Sequence, residues 1–402
     1  MPLKLKILES IEYREYKHEN KHSVLSLRNS IFPPISSEDW EQNNTAAVAI
    51  YQGEVVGVIP FTFREFTIAP GVNIMVASEN SVGVREDLRG KGVGSEMMRC
   101  AKSFLPKYGC QAMFVYREDE RSAGYRFYRK TGHFDIYYPY LFILNNPRVY
   151  KVSKSVDVEN LQGVFKKEKE ILSVFNSAYG CMGGFRKRCL GYWKKALTSH
   201  IFVEIKYDWF KLMRITEKEK LKAYAIIGKR QNTLYVLEFA TFAQDGNYTL
   251  ALCRALSNLA DKEKCKVEIY STGPFSSYFN SLQRTGFELQ VRNLIILGYL
   301  LDLKEIFDKL YNPFGRLENT RVKVWTPKRE LVLYKPKMRC NREVTLQMKE
   351  WVLHRFLLSR LDIKNSIRQG LITLYGADEN WIREFVRSIP FTEWIYHHID
   401  YI

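Results

Sequence analysis

The chain has no Cys-x-x-Cys pair, no apolar run of spanning length and a shortage of acids. Its seven cysteines (Cys100, Cys110, Cys181, Cys189, Cys253, Cys265, Cys340) leave an odd count. That excludes the usual zinc spacings and a tidy disulfide framework, so buried free thiols in a reducing cytoplasm are expected. The longest apolar run, Leu294–Leu301, stops at Asp302 and is too short to cross a bilayer. Met1–Tyr16 alternates charges without an apolar core, so no secretory signal is expected. His397-His398 has no neighbouring cluster of ligands and reads as a surface pair; no metal is expected. Only 44 acids face 61 lysines and arginines, a net charge of +17. Such a balance favours anionic ligands. Basic knots occur at Lys166-Lys167, Arg186-Lys187-Arg188 and Lys335–Arg339, but no helix-turn-helix or zinc-finger spacing accompanies them. They read as solvated faces, and nucleic acid is not an expected partner.

The chain does have length and packing material. Its 402 residues, 46% hydrophobic and 14% aromatic, suffice for two or three packed domains. One segment stands out. Val82-Gly83-Val84 reads as a strand, and Arg89-Gly90-Lys91-Gly92-Val93-Gly94 follows as a short loop opening into an apolar-periodic helix with Ser95 in its first turn. A helix N-terminus offers unpaired N–H groups and partial positive charge, and small residues there let a phosphate approach. A Walker A loop does not fit, since Gly90-Lys91 is followed by Gly92 and no glycine lies five positions earlier. The dinucleotide fingerprint fails on spacing. Arg/Gln-x-x-Gly-x-Gly/Ala fits at Arg89, Gly92 and Gly94.

Around that loop, the runs Ala46–Tyr51 and Glu54–Phe63 predict a hairpin through Gln52-Gly53. Gly71–Val84 predicts the next strand, Ser95–Leu105 a helix stopped by Pro106, and Gln111–Tyr116 a buried strand. Arg121–Thr131 reads as a helix ended by Gly132, and Phe134–Leu144 as one long aromatic strand. Arg-x-x-Gly-x-Gly in this order of elements resembles the acyl-CoA loop of the GCN5-related N-acetyltransferases. Phe127-Tyr128, followed by Gly132, His133 and Phe134, is similar to that family's aromatic-tyrosine motif. The resemblance implies an acetyl-CoA pyrophosphate held by amides around Gly90, Lys91, Gly92, Val93, Gly94 and Ser95, with charge from Arg89. It also implies that Val82 and Val84 offer backbone groups to the pantetheine arm. Tyr128 takes the place of the acid that protonates the departing thiolate; a phenol with pKa of about 10 stays protonated at neutral pH. Tyr125 reads as packing.

After Asn146-Pro147 the pattern restarts. Val158–Ala178 and Lys187–Thr198 read as helices; Ile201–Lys206, Lys222–Ile227 and Thr233–Ala240 as strands. Thr249–Ala260, Cys265–Tyr270 and Ser276–Thr285 then repeat helix, strand, helix, and Phe279–Phe287 echoes the tyrosine motif with Asn280 in the tyrosine slot. The loop Asp245-Gly246-Asn247-Tyr248 lacks the Arg-x-x-Gly-x-Gly pattern. From about Thr320, Arg321–Trp325 and Glu330–Tyr334 predict strands, and Val344–Ser359, Ser366–Leu371 and Ala377–Ile389 predict helices.

This whole-chain order resembles the enhanced intracellular survival (Eis) family. It implies an α+β chain of two tandem acetyltransferase folds followed by a sterol-carrier-like C-terminal α/β domain. The corresponding expectations are a catalytic domain at 1–150, a second fold without the cofactor loop at 151–300 and a last domain at 301–402. The family further implies a hexamer that acetylates small polyamines, aminoglycosides above all. The terminal Asp400-Tyr401-Ile402 matches its Asp-Tyr-aromatic ending except at Ile402, whose carboxylate takes the role of proton acceptor. Glu79 is a second candidate base, but its parity against Val82 and Val84 sets it on the opposite face unless a bulge intervenes. A polycationic substrate needs an acidic pocket; Glu38, Asp39 and Glu41 beside Trp40, and the run Glu118–Glu120, are the local candidates. Acetylation of protein lysines, and a non-catalytic acyl-CoA or lipid-binding module, remain alternatives.

Overall fold

The computed structural model describes residues 10–80, 82–117, 120–199, 205–273, 276–290, 294–310, 319–336, 340–389 and 391–400. Three sheets organise them. The first runs Glu12–Glu15, Thr45–Tyr51, Glu54–Ala69, Val72–Glu79, Ala112–Arg117, Ile295–Leu300 and Phe134–Tyr137 in spatial order. Gly83–Val84 and Phe185–Arg186 add short pairings to the Glu54–Ala69 strand. Both faces are covered. Ile74 and Val76 enter one core while Ala77 enters the other, which is why the strands read as near-continuous apolar runs. The Val93–Phe104 helix buries Val93, Met97, Met98, Ala101 and Phe104 on one face.

The second sheet runs Glu288–Gln290, Tyr140–Leu144, Lys266–Ser271, Thr233–Thr241, Lys220–Arg230, Trp209–Glu217 and Asp157–Asn160. The halves exchange strands. Tyr140–Leu144 leaves the first sheet to pair with Lys266–Ser271, and Ile295–Leu300 returns to pair with Ala112–Arg117 and Phe134–Tyr137. The single strand expected over Phe134–Leu144 is therefore two strands in different sheets. Pro139 lies at the break, where it cannot supply a ladder N–H.

The third sheet orders Arg329–Tyr334, Thr320–Thr326, Arg342–Met348 and Ile372–Tyr375. The helix expected over Val344–Ser359 is a strand to Met348 and then a helix, Glu350–Leu357. Val344, Leu346 and Met348 alternate inward with the period of a strand. Likewise Val158–Ala178 divides into a strand at Asp157–Asn160 and helices Leu161–Lys166 and Glu168–Tyr179, the Asn160 side chain capping the first helix. The Lys187–Thr198 helix shrinks to Tyr192–Leu197 behind Gly191, whose φ is 85°. Most of the strand expected at Ile201–Lys206 lies outside the described residues, and the Trp209–Glu217 strand was not anticipated.

Residues 391–400 thread back through the molecule. Trp394 Nε1 donates to the Ile68 carbonyl (2.9 Å), and Ile395 N–H to the Gly183 carbonyl (2.9 Å). Tyr396 packs against Tyr116 and Tyr270, 5.5 and 4.7 Å between centroids. Asp400 is buried and bonded to Arg188 Nη1 (2.8 Å) and Nη2 (3.1 Å) and to the Tyr192 hydroxyl (2.5 Å). Arg188 also holds Glu238 Oε2 through Nε (2.8 Å) and Nη2 (2.6 Å). Burial opposes that guanidinium's charge, but Asp400, Tyr192 and Glu238 hold it firmly protonated. The Arg186-Lys187-Arg188 knot is thus not a solvated face: Arg186 and Arg188 are 5% and 7% exposed.

His397-His398 is not a surface pair either. His397 lies among Phe175, Tyr179 and Phe185, and His398 stacks on Tyr235 and Tyr270. Burial, with Arg188 adding to it, drives His397 well below the usual imidazole range; burial alone brings His398 down to about 4. Both are neutral in the fold, so between the ordinary value and about 4 the unfolded chain binds more protons. Stability is complete above about pH 6.5 and falls as the pH drops towards 4. His398→Phe should therefore gain on the native chain in melting temperature across that window; a pH-independent difference would contradict this.

Candidate active site

The parallel ladder between Val72–Glu79 and Ala112–Arg117 pairs Val76 with Ala112, Ala77 with Met113 and Ser78 with Phe114, then stops. Beyond it the strands part. Ala112–Arg117 keeps Ile295–Leu300 on its other edge, while the first strand kinks. Phe61 faces Glu79 and Val58 faces Gly83, so three steps along one strand match four along the other. That extra residue is a β-bulge, and it turns Glu79 to the side of Val82 and Val84. The simple parity argument for Glu79 therefore fails, and the carboxylate belongs to the site.

Beyond the bulge, Arg85 N–H donates to the Val56 carbonyl (2.9 Å), so alternation turns the backbone groups of Val82 and Val84 towards the opening. The Val84 carbonyl accepts from Arg89 Nε (2.9 Å), which ties the loop to the strand. Gly90 and Gly92 have φ of 73° and 97°, and a Cβ at either would meet nothing within 4 Å. Their need for glycine is conformational, and the space above them is open. Gly92 caps the helix without a side-chain bond, and its carbonyl takes the N–H of Ser95 and Glu96. Val93 and Gly94 start the helix, where amides have no carbonyl one turn behind them. Lys91 N–H lies 3.4 Å from the Leu88 carbonyl. A Cβ on Gly94 would come 3.0 Å from the Phe127 ring, which seats the tyrosine helix against the loop. This is an open anion cradle, and the pyrophosphate of acetyl-CoA fits its donor set.

Tyr128 lies in the Ala123–Lys130 helix, capped by Ser122, and is 2% exposed. Burial first, then the adjacent Glu79 carboxylate, raises its phenol well above 10, against the Arg117 guanidinium 5.4 Å from its ring. It is protonated throughout the physiological range. Glu79 Oε1 lies 2.7 Å from His133 Nε2, both side chains fully buried, and His133 Nδ1 lies 3.1 Å from the Thr131 hydroxyl. Among the described residues, Glu79 Oε2 has no hydrogen-bond partner. Behind them Lys102 donates to the Thr131 carbonyl and sits 3.6 Å from the Tyr299 ring centroid. Burial, against the pull of Glu79, brings Lys102 down to about 8. His133 and Lys102 were not anticipated; their signals were a histidine inside the tyrosine motif and a lysine on an otherwise apolar helix face. Tyr125 donates to Asp135 (3.1 Å to each oxygen).

Residues 10–133 match the family model of the GNAT acetyltransferases. This part of the chain resembles a GNAT acetyltransferase domain. No curated protein sequence matches the chain. Solved structures share its fold over nearly the full length. One is a conserved protein of unknown function from Enterococcus faecalis V583, described as a probable N-acyltransferase (13% identity, TM-score 0.70, covering 96% of this chain and 98% of that one). A GCN5-related N-acetyltransferase from Kribbella flavida gives 15% identity and a TM-score of 0.62 (98% and 100%). Eis1 from Mycobacterium abscessus gives 12% and 0.58 (96% and 99%).

The second half lacks the cradle for a physical reason. Asp245 caps the Gly246–Glu263 helix and accepts from the N–H of Asn247 (2.7 Å) and Tyr248 (3.3 Å), so a carboxylate already occupies that N-terminus. Of the GNAT domain's acidic candidates, Asp39 is spent in a capping box with Ser36 and Glu41 is paired with Lys21. Glu118 and Asp119 lie outside the described residues, as does Ile402. Among the described residues, no group of three His, Cys, Asp or Glu could hold a metal, and no helix is long and apolar enough to cross a membrane.

At φ 97° an added Cβ strains the backbone. Gly92→Ala should lower stability by about 1 kcal/mol and weaken acetyl-CoA binding, read by denaturation and calorimetry. Unchanged affinity would remove this turn from the site.

Proposed function

We propose that the chain is an acetyl-CoA-dependent N-acetyltransferase that acts on a small amine by direct attack in a ternary complex. The observation that carries this reading is a buried, protonated Tyr128 and a Glu79 carboxylate beside an open glycine cradle. The thioester supplies an activated acetyl group. A protonated amine is not nucleophilic, so a carboxylate must first take its proton. Glu79, with Oε1 fixed by His133 and Oε2 buried without a hydrogen-bond partner among the described residues, is the acceptor we assign to that role. The carboxylate of Ile402, expected from the Eis resemblance, is the competing acceptor. Tyr128 then supplies the proton the thiolate needs, while Arg89 and the amides of Lys91–Gly94 neutralise pyrophosphate charge.

Asp39 and Glu41, beside Trp40, are engaged locally, which favours an acceptor other than a polycationic aminoglycoside. The same resemblance supports a sterol-carrier-like third unit and a hexameric assembly.

The test follows CoA release from acetyl-CoA across diamines, amino acids, aminoglycosides and lysine peptides. Turnover should appear with a small amine, and Tyr128→Phe should lower kcat by about a hundredfold or more with little change in acetyl-CoA affinity. Glu79→Gln should lower kcat with the amine by about a hundredfold or more, and unchanged turnover would end its role as base. Unchanged kcat in Tyr128→Phe would end its role as acid.

A further inference from the structure

Arg117 ends the Ala112–Arg117 strand, three residues past Phe114, where the ladder to Val72–Glu79 stops. Its backbone is held there by pairing with Ile295. It alternates with Met113 and Val115, which share a core with Tyr128, so its side chain leaves the sheet on the Tyr128 side. The guanidinium carbon lies 5.4 Å from the centroid of the Tyr128 ring. Its Nε is buried and, among the described residues, has no hydrogen-bond partner. The Ala123–Lys130 helix makes room for this group at Gly124. A Cβ there would come 2.6 Å from the Arg117 Cζ and 2.7 Å from its Nε, inside the guanidinium. A helical glycine costs stability relative to alanine, and here the space it leaves is taken by Arg117.

Three ionisable groups face the Tyr128 side chain. Glu79 comes from Val72–Glu79, Arg117 from Ala112–Arg117, and the His133 ring lies 5.2 Å away between centroids. Lys102, on the Val93–Phe104 helix, faces Glu79. Burial and Glu79 oppose a phenolate at Tyr128; Arg117 favours one. That balance changes during transfer. An ammonium acceptor loses two protons as its nitrogen bonds to the acetyl carbon and the carbon–sulfur bond breaks. Glu79 takes the first, which removes the carboxylate charge beside Tyr128 and leaves the Arg117 charge in place. Tyr128 gives its proton to the departing sulfur, Glu79 returns its own to the phenolate, and the second nitrogen proton goes to water. The products are the amide, the CoA thiol and one proton in solvent. A cation fixed beside the ring counts most while the phenolate exists.

We propose that Arg117 is a positioning residue for the acid: seated beside the Tyr128 ring in the space left by Gly124, its guanidinium stabilises the phenolate formed when CoA leaves. It acts through Tyr128 and touches no reacting atom. The assignment rests on the acetyltransferase reading of the site.

CoA release is measured for single and double variants, with acetyl-CoA affinity read by calorimetry and folding by melting temperature. Arg117→Met should lower kcat by about tenfold or more with acetyl-CoA affinity kept, and Arg117→Lys should recover most of the loss. Gly124→Ala, which pushes the guanidinium aside, should lower kcat while holding or raising the melting temperature. In a Tyr128→Phe background, Arg117→Met should have no further effect, because the group through which it acts is gone. Equal losses from Arg117→Met in both backgrounds, Arg117→Lys no better than Arg117→Met, or full activity in Gly124→Ala would overturn the proposal. A loss in Tyr128→Phe with full activity in Arg117→Met would overturn this proposal alone. Full activity in Tyr128→Phe, or no turnover of any amine by the native chain, would overturn it together with the reading on which it rests.

Discussion

The structure depends on the exchange of strands between its two halves. Ile295–Leu300 supports Ala112–Arg117 along the edge away from the opening, so the wall of the active site is held by a strand that follows the whole second half in sequence. Tyr140–Leu144 does the reverse for the second sheet. Neither sheet is complete from a contiguous stretch, and the pairing that widens into the acyl-CoA opening is secured from outside. The long loop this closes costs only logarithmically in entropy, while the strand buries Ile295, Ile296, Leu297 and Leu300.

The C-terminal segment exploits that arrangement. Trp394 and Tyr396 fill the apolar gap, and Arg188 anchors Asp400 with Glu238 as the second carboxylate. A buried charge set of this kind contributes little net stability over an apolar replacement, but losing one partner costs about 3–5 kcal/mol. It specifies position. The tail can lie only where Asp400 meets Arg188, and the segment leading there packs Tyr396 against Tyr116.

Much of the first domain was legible in the sequence because its devices are local. Arg89, Gly92 and Gly94 state a backbone conformation, and Tyr128 follows the turn signals of its own helix. Glu79 was legible only in part. Its side depended on a bulge that is visible only once Phe61 and Val58 have partners. The knot at Arg186–Arg188 looked like surface because burial of a guanidinium depends on distant partners: Glu238 is 50 residues from Arg188 and Asp400 is 212. The break at Pro139 was written in the sequence, but not the fact that the chain changes sheets there. The Arg342–Met348 strand was missed for a related reason. Its alternation is clean, but short apolar runs next to a helix allow either period.

One asymmetry underlies the account: the helix N-terminus after Gly92 is open, whereas the equivalent terminus after Asp245 is filled by that residue's own carboxylate. Calorimetric titration of the full chain with acetyl-CoA tests it most directly. The account predicts one site per chain, lost on introducing an aspartate at Gly92 and unaffected by Asp245→Ala under the same conditions. Two sites per chain, or a single site that survives Gly92→Asp, would contradict it.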